Sequence, residues 1–316
     1  MQSFAGKLAV ITGAAGGMGR ELAIQLAAEG CHLALADLST DGLAETAQLC
    51  RAAGSEAIEI STHQCDVADE AQVLAFRDAV QAVHGKAYIN LLFNNAGIGG
   101  GGSFINTPRQ EWEQTFNVCW NGVYYCTRAF LPLLINSDDG CLVNTSSVNG
   151  FWASLGPGSA HTAYSTAKFA VKGFTEALIN DLRMNAPHVK VALVMPGHIG
   201  TAIAQNTSRI LGHAGPLQMS AEEVAATRLR LERAGLPVAN VSDDALKQLL
   251  HQQQEDFKNN APTSAAQAAT IILDGVREGR WRILVGEDAH RLDERVRANP
   301  EQAYDTSFFS LLPGRR

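Results

Sequence analysis

Charge is scarce in this chain. Asp, Glu, Lys and Arg together supply 18% of its 316 residues, below the roughly 25% of an ordinary soluble domain. Basic residues are the scarcer kind: 25 Lys and Arg stand against 32 Asp and Glu, a formal net charge of −7. A surface of that sign repels phosphate backbones on average, which argues against nucleic acid as a partner. Cysteines are few and nowhere grouped. The six are Cys31, Cys50, Cys65, Cys119, Cys126 and Cys141, with no CxxC pair and no histidine at zinc-finger spacing. No metal site is expected, and reduced, buried thiols of a cytoplasmic protein are. The N-terminal MQSFAGKLAV lacks the charged start and apolar stretch of a secretory leader. No apolar run approaches the roughly 18 residues of a membrane-spanning helix, so no membrane association is expected. Internal repeats, low-complexity tracts and linker-like segments are missing as well, so the chain reads as one domain.

What is plentiful is apolar sequence, 46% of the chain. It comes as short, continuously apolar runs alternating with helix-length amphipathic stretches. Strands are predicted at 7–12, 32–37, 57–65, 90–94, 141–145, 190–195 and 281–285. Helices are predicted at 18–29, 41–53, 70–84, 108–135, 162–184, 220–234, 243–257 and 264–278, with a short one in the tail 286–316. Strands without polar alternation belong in a parallel sheet covered on both faces. The expected fold class is therefore α/β, a doubly wound parallel sheet. The rhythm breaks between 199 and 262, where no strand is predicted. The domain is accordingly divided into a core at 5–201, a helical insertion over the substrate site at 202–262, and a last helix, strand and tail at 263–316.

Thr12-Gly13-Ala14-Ala15-Gly16-Gly17-Met18-Gly19 lies between the first strand and the first helix. Glycines at such a turn permit unusual backbone angles, let a pyrophosphate approach bare backbone and let the helix pack closely on the strand. The helix N-terminus then offers free N–H groups to the phosphates. Asp37 ends the second strand, where a carboxylate can accept hydrogen bonds from ribose hydroxyls and repel a 2′-phosphate. Leu38 follows it, and no arginine precedes Arg20 in the turn. NAD is therefore expected rather than NADP.

The TGxxxGxG spacing resembles that of the short, single-domain branch of the short-chain dehydrogenase/reductase family, which has a Rossmann fold. Further motifs follow in that family's order: Asp66-Val67 after the third strand, Asn94-Asn95-Ala96-Gly97 after the fourth, Ser146-Ser147 after the fifth, Tyr164-Ser165-Thr166-Ala167-Lys168, and Pro196-Gly197-His198-Ile199-Gly200-Thr201. The resemblance covers about residues 5–201 and the seventh strand. It implies cofactor contacts from Gly13, Gly17, Met18, Gly19, Asp37, Leu38, Asp66, Val67, Asn94, Ala96, Gly97, Pro196, Gly197, Ile199 and Thr201, together with Tyr164 and Lys168. It implies that Tyr164 is the general acid/base, that Ser147 holds the substrate oxygen, and that Lys168 holds the nicotinamide ribose and lowers the Tyr164 pKa. It implies a homodimer or homotetramer through the two long helices. The chemistry is self-consistent: residues four apart share a helix face, and a nearby ammonium favours phenolate in a group of ordinary pKa about 10.

The expected activity is NAD-dependent interconversion of a secondary alcohol and a ketone, a small molecule that is bulky and apolar. Phe151, Trp152 and His198 are the expected substrate contacts. An NAD-sensing regulator and an epimerase or dehydratase of the same fold are the alternatives. One position departs from the family: Cys119 stands where the resemblance implies an asparagine, flanked by Asn117 and Asn121. Either the proton path to Lys168 is rebuilt, or the helix shifts to present Asn117, or the exchange is tolerated because the asparagine acts through its backbone carbonyl.

Overall fold

The structure is a computed structural model that describes residues 1–55, 57–156, 159–233 and 236–308. The last part of the expected tail, 309–316, and Ala234 of an expected helix lie outside the described residues. Elements follow in the order β1 (Leu8–Thr12), α1 (Gly17–Ala28), β2 (His32–Asp37), α2 (Thr40–Ala53), β3 (Ile60–Gln64), α3 (Glu70–His84), β4 (Leu91–Asn94), α4 (Arg109–Phe116), α5 (Gly122–Ile135), β5 (Gly140–Thr145), α6 (Thr162–Asn185), β6 (Val189–Pro196), β7 (Ile199–Gly200), α7 (Ile203–Ile210), α8 (Ala221–Arg233), α9 (Asp243–Asn259), β8 (Thr263–Ser264), α10 (Ala265–Arg277), β9 (Arg282–Val285) and α11 (Glu287–Ala298).

Seven strands form one parallel sheet in the order β3-β2-β1-β4-β5-β6-β9. Successive side chains leave a strand on opposite faces, and here both faces are apolar. Ala9, Ile11, Leu33, Leu35, Leu91, Phe93 and Val143 pack on one side with Leu22 and Leu26 of α1, Leu43 of α2 and Ile272 of α10. Leu8, Val10, Ala34, Leu92 and Leu142 pack on the other with Phe76 of α3, Phe130 of α5 and Leu178 of α6. The expected doubly wound fold is thus present. Strand order reverses between β1 and β4, and in such sheets ligands enter the crevice beyond the strand ends at that reversal.

The expected long helix at 108–135 is present but uneven. Between α4 and α5 it widens into a π turn at Asn117–Asn121, where Gly122 N–H donates to the Asn117 carbonyl. The interrupted region holds one more helix than expected, α7, and a strand after all. Ile199 and Gly200 pair in parallel with Thr263 and Ser264, so the insertion leaves and rejoins the core at one place. A two-residue strand is too short for periodicity to reveal. The insertion has a small core of its own, Val224, Val238 and Leu246. Arg228 bonds the Val238 and Val241 carbonyls and pairs with Asp243 at 2.6 Å.

Candidate active site

The glycine turn closes against β4. Thr12 Oγ1 accepts the backbone N–H of Asn95 at 3.0 Å and of Ala96 at 3.1 Å, while Asn95 Nδ2 donates to the Thr12 carbonyl at 3.1 Å. A side chain on Gly13 would lie 2.8 Å from the Ala96 Cα, and one on Gly19 would lie 2.1 Å from the Gly13 carbonyl oxygen. These two glycines therefore serve backbone packing, and Gly13 also has φ +68°. Gly16 faces open space. As N-cap of α1 it supplies no side chain, and no acidic residue occupies the first turn. The α1 N–H groups are left to an anion.

Asp37 stands beside this turn with both carboxylate oxygens fixed. One accepts from Ala15 N–H at 3.1 Å and the other from Ser39 N–H at 3.0 Å. Arg20, the guanidinium that follows the glycine turn, is committed to the Ala15 carbonyl, Thr46 and Glu45. Asp66 accepts from Ala68 N–H at 2.9 Å at the end of β3, and Val67 is buried against Gly122. Thr201 lies against Gly17, which brings the last motif to the first.

Ser147, Tyr164 and Lys168 converge at the carboxyl ends of β4 and β5. Ser147 and Ser146 leave β5 in opposite senses. Ser146 Oγ donates to the Lys168 carbonyl at 2.8 Å and fixes the strand to α6. Ser147 caps a short turn, accepting from Asn149 N–H at 3.1 Å, and its hydroxyl hydrogen-bonds Tyr164. Lys168 is 3% exposed. Its ammonium donates to the Thr145 carbonyl at 2.9 Å and lies 5.4 Å from the centre of the Tyr164 ring.

Burial raises the Tyr164 pKa, the Cys119 sulfur adds to that rise, and the Ser147 hydrogen bond opposes it. Burial also lowers the Lys168 pKa. The lowering of Tyr164 expected from Lys168 does not appear; desolvation, which disfavours the charged form of both groups, governs instead. Burial thus favours the neutral phenol.

Cys119 is wholly buried, and Sγ donates to the Ile98 carbonyl at 3.1 Å. A side chain added at Gly97 would touch both Lys168 Nζ, at 3.6 Å, and Cys119 Sγ, at 3.8 Å, so the thiol borders the lysine. Asn117 is not turned inward. Asn121 Nδ2 donates to its Oδ1 at 2.8 Å. The π turn therefore keeps Cys119 facing the site and leaves the flanking asparagines bonded to each other.

The side chains of four expected contacts are engaged within the fold. Asn94 is 2% exposed, and its amide donates to Thr127 and Asn144 inside the core. It ties β4 to β5 and α5 rather than lining the cleft. Trp152 is 1% exposed, its indole donates to the Ala303 carbonyl at 2.5 Å, and its ring packs on Phe308. Phe151 packs with Leu284 under Arg282. His198 stacks on Phe257 at 4.1 Å and bonds its carbonyl through Nε2, while its backbone N–H donates to Asp288 at 2.7 Å. These three side chains hold the C-terminal segment and α9 against the core.

The structure also brings residues to the site that sequence reasoning passed over. Thr207 of α7 accepts from Gly99 N–H at 2.8 Å, and Gln114 donates to the Ile210 carbonyl at 3.2 Å. The start of the insertion is thereby fastened over the Gly99–Gly102 loop. Asp288 bears on the segment after β6: Gly197 has no room for a side chain, since a Cβ would lie 2.3 Å from the Asp288 carboxylate. His161 lies over Tyr164, with ring centroids 4.6 Å apart and planes at 35°. It stands at the N-cap of α6, outside the helix, so helical periodicity carried no signal for it.

Residues 7–210 match the family model described as short chain dehydrogenase. A Mycobacterium tuberculosis protein named as an oxidoreductase, SadH, is 37% identical over 94% of this chain and 92% of its own length. The human epidermal retinol dehydrogenase 2 is 33% identical over 64% of this chain and 63% of its own. Among solved structures, a short-chain dehydrogenase/reductase from Burkholderia phymatum in complex with NAD is 29% identical. It superposes with a TM-score of 0.75 over 97% of this chain and 98% of its own. Among the described residues no helix is long and apolar enough to cross a membrane, and no group of His, Cys, Asp and Glu is placed to hold a metal ion.

Proposed function

The chain belongs to the short-chain dehydrogenase family, and from that premise we propose that it is an NAD-dependent oxidoreductase interconverting a bulky, largely apolar secondary alcohol and its ketone. The observation that carries the proposal is the meeting of Tyr164, Ser147 and Lys168 beside the glycine turn.

The residues present suit a dinucleotide. The open backbone at Gly16 and the uncapped start of α1 suit the pyrophosphate. Asp37 suits the adenosine ribose, and with Arg20 already paired nothing compensates a 2′-phosphate there. Val67, Ala96, Gly97, Ile199 and Thr201 complete the proposed contacts. When bound, nicotinamide supplies the hydride donor or acceptor.

In the reduction direction Ser147 holds the ketone oxygen, and Tyr164 gives that oxygen its proton as hydride reaches the carbon. In oxidation the tyrosinate takes the alcohol proton back. Lys168 would stabilise the tyrosinate and hold the nicotinamide ribose. Thr145 and Ser146 keep its helix in register for this. The insertion, fastened through Thr207, would exclude water from the site. An apolar substrate agrees with Ile210 and Leu211, which pack like Tyr164 against the core on this side of the sheet. Exposed Tyr124 on α5 and Phe169 on α6 suit the proposed homodimer or homotetramer, which light scattering of the purified protein would test.

The test is NADH and NADPH oxidation at 340 nm against a panel of ketones, with Tyr164→Phe as control. Turnover is expected with apolar cyclic or aromatic ketones and NADH. A panel of ketones left untouched with both cofactors would overturn the reading, as would polyols outperforming apolar alcohols in the reverse assay.

A further inference from the structure

Several histidines of this protein are bonded within the fold, whereas the one beside Tyr164 is not. His63 and His84 both bond Ser61 through Nε2, at 2.8 and 2.9 Å. His198 bonds the Phe257 carbonyl. His161 differs. It precedes α6 directly and lies on the catalytic tyrosine, yet among the described residues neither of its ring nitrogens has a hydrogen-bond partner. The polar groups next to it are already taken. Thr162 N–H and Oγ1 occupy the Gly102 carbonyl, and Ala163 N–H occupies the Gly101 carbonyl. The half-buried ring is dry enough that desolvation alone holds its pKa down at about 4, with no neighbouring charge contributing.

The ring is half-buried and neither nitrogen is sealed from solvent, so a molecule in the cleft can reach it. An imidazole left open against the reacting tyrosine is therefore a group offered to a ligand. Neutral imidazole carries one N–H donor and one acceptor nitrogen. It brings no charge to offset the desolvation of a carboxylate or phosphate, so the group it receives is a neutral oxygen. The reacting oxygen is already met by Ser147 and Tyr164.

We propose that His161 hydrogen-bonds a second, neutral oxygen of the substrate. The preferred substrates are then apolar ketones and secondary alcohols that carry a further hydroxyl or carbonyl a few bonds from the reacting carbon. The inference rests on the dehydrogenase reading above. It narrows that reading to bifunctional substrates and makes His161 a specificity-determining residue.

The experiment compares isosteres of matched size: 2-, 3- and 4-hydroxycyclohexanone against 2-, 3- and 4-methylcyclohexanone, each as kcat/KM with NADH. For wild type, at least one hydroxy isomer should exceed its methyl counterpart by about tenfold, the scale of one buried hydrogen bond. His161→Phe keeps a stacked ring and removes both nitrogens, and should bring that ratio to about one. His161→Leu should do the same, and carries the comparison if the phenylalanine variant no longer binds NADH. A wild-type ratio at or below one for all three pairs overturns the proposal without any variant. So does a variant that slows both members equally, because a residue that merely seats Tyr164 cannot alter the ratio. Failure to reduce any ketone with either nicotinamide cofactor would instead defeat the dehydrogenase reading.

Discussion

Acid should loosen this protein from beneath its edge strand, and His63→Gln should remove a measurable part of the effect. His63 and His84 share the single hydroxyl of Ser61. The Glu59 carboxylate lies 3.1 Å from His84 Nδ1 in a close but poorly directed contact. That charge favours the His84 proton on Nδ1, so Nε2 accepts from Ser61, whose oxygen in turn accepts N–H from His63. Every proton is assigned with both rings neutral.

Burial, with His84 adding to it, holds the His63 pKa down at about 4. In the unfolded chain the value is about 6.5. The folded value is the lower one, so the unfolded chain takes up the proton first. The stabilisation is complete above pH 6.5 and falls as pH drops from about 6.5 to about 4. A shift of about 2.5 units is worth at most about 3.4 kcal/mol. Because the ring is only half-buried, solvent screening reduces this to about 1–2 kcal/mol. Glutamine keeps an N–H to offer Ser61 and does not titrate. Melting temperatures at pH 7.5 and 4.5 provide the assay. The wild-type drop should exceed the His63→Gln drop by about 2–5 °C. Equal drops in the two proteins would refute the reasoning.

Tyr164→Phe should cut kcat at least about 10²-fold while NADH binding, followed by its fluorescence, persists; a variant keeping a tenth of the wild-type rate contradicts the assignment. Asp37→Ala should narrow the preference of kcat/KM for NAD over NADP by about tenfold or more, since it removes the ribose acceptor and the repulsion together; equal wild-type use of the two cofactors would refute that role. Cys119→Asn should leave kcat within about tenfold, because the π turn and not the side chain sets the helix path here; a larger change in either direction would make the side chain part of the proton path. Hydrogen exchange across residues 202–233 should slow when NAD and a ketone bind together; equal protection with and without ligands would remove the water-excluding role of the insertion.

The sequence by itself determined whatever depends on near neighbours along the chain. Runs such as Leu8–Thr12 and Leu91–Asn94 dictate buried parallel strands because they are apolar on both faces. The turn from Gly13 to Gly19 follows from backbone angles and close approach. Tyr164 and Lys168 share a face because a helix repeats every 3.6 residues. Tertiary structure alone decided which side chains remain free to do chemistry. Trp152 follows Ser147 closely, but the carbonyl that captures its indole belongs to Ala303. His198 sits in a cofactor motif, but Phe257 and Asp288 claim its ring and its backbone. Asn94 opens a binding motif and faces Thr127 and Asn144 instead. Ser146 and Ser147 are neighbours of the same type, and the place of the Lys168 carbonyl shows why Ser146 is structural. Each outcome depends on a partner far away in the chain, laid down by packing of the sheet's two layers and the C-terminal segment. Periodicity carries no information across such distances, so side-chain availability was settled only when the chain closed on itself.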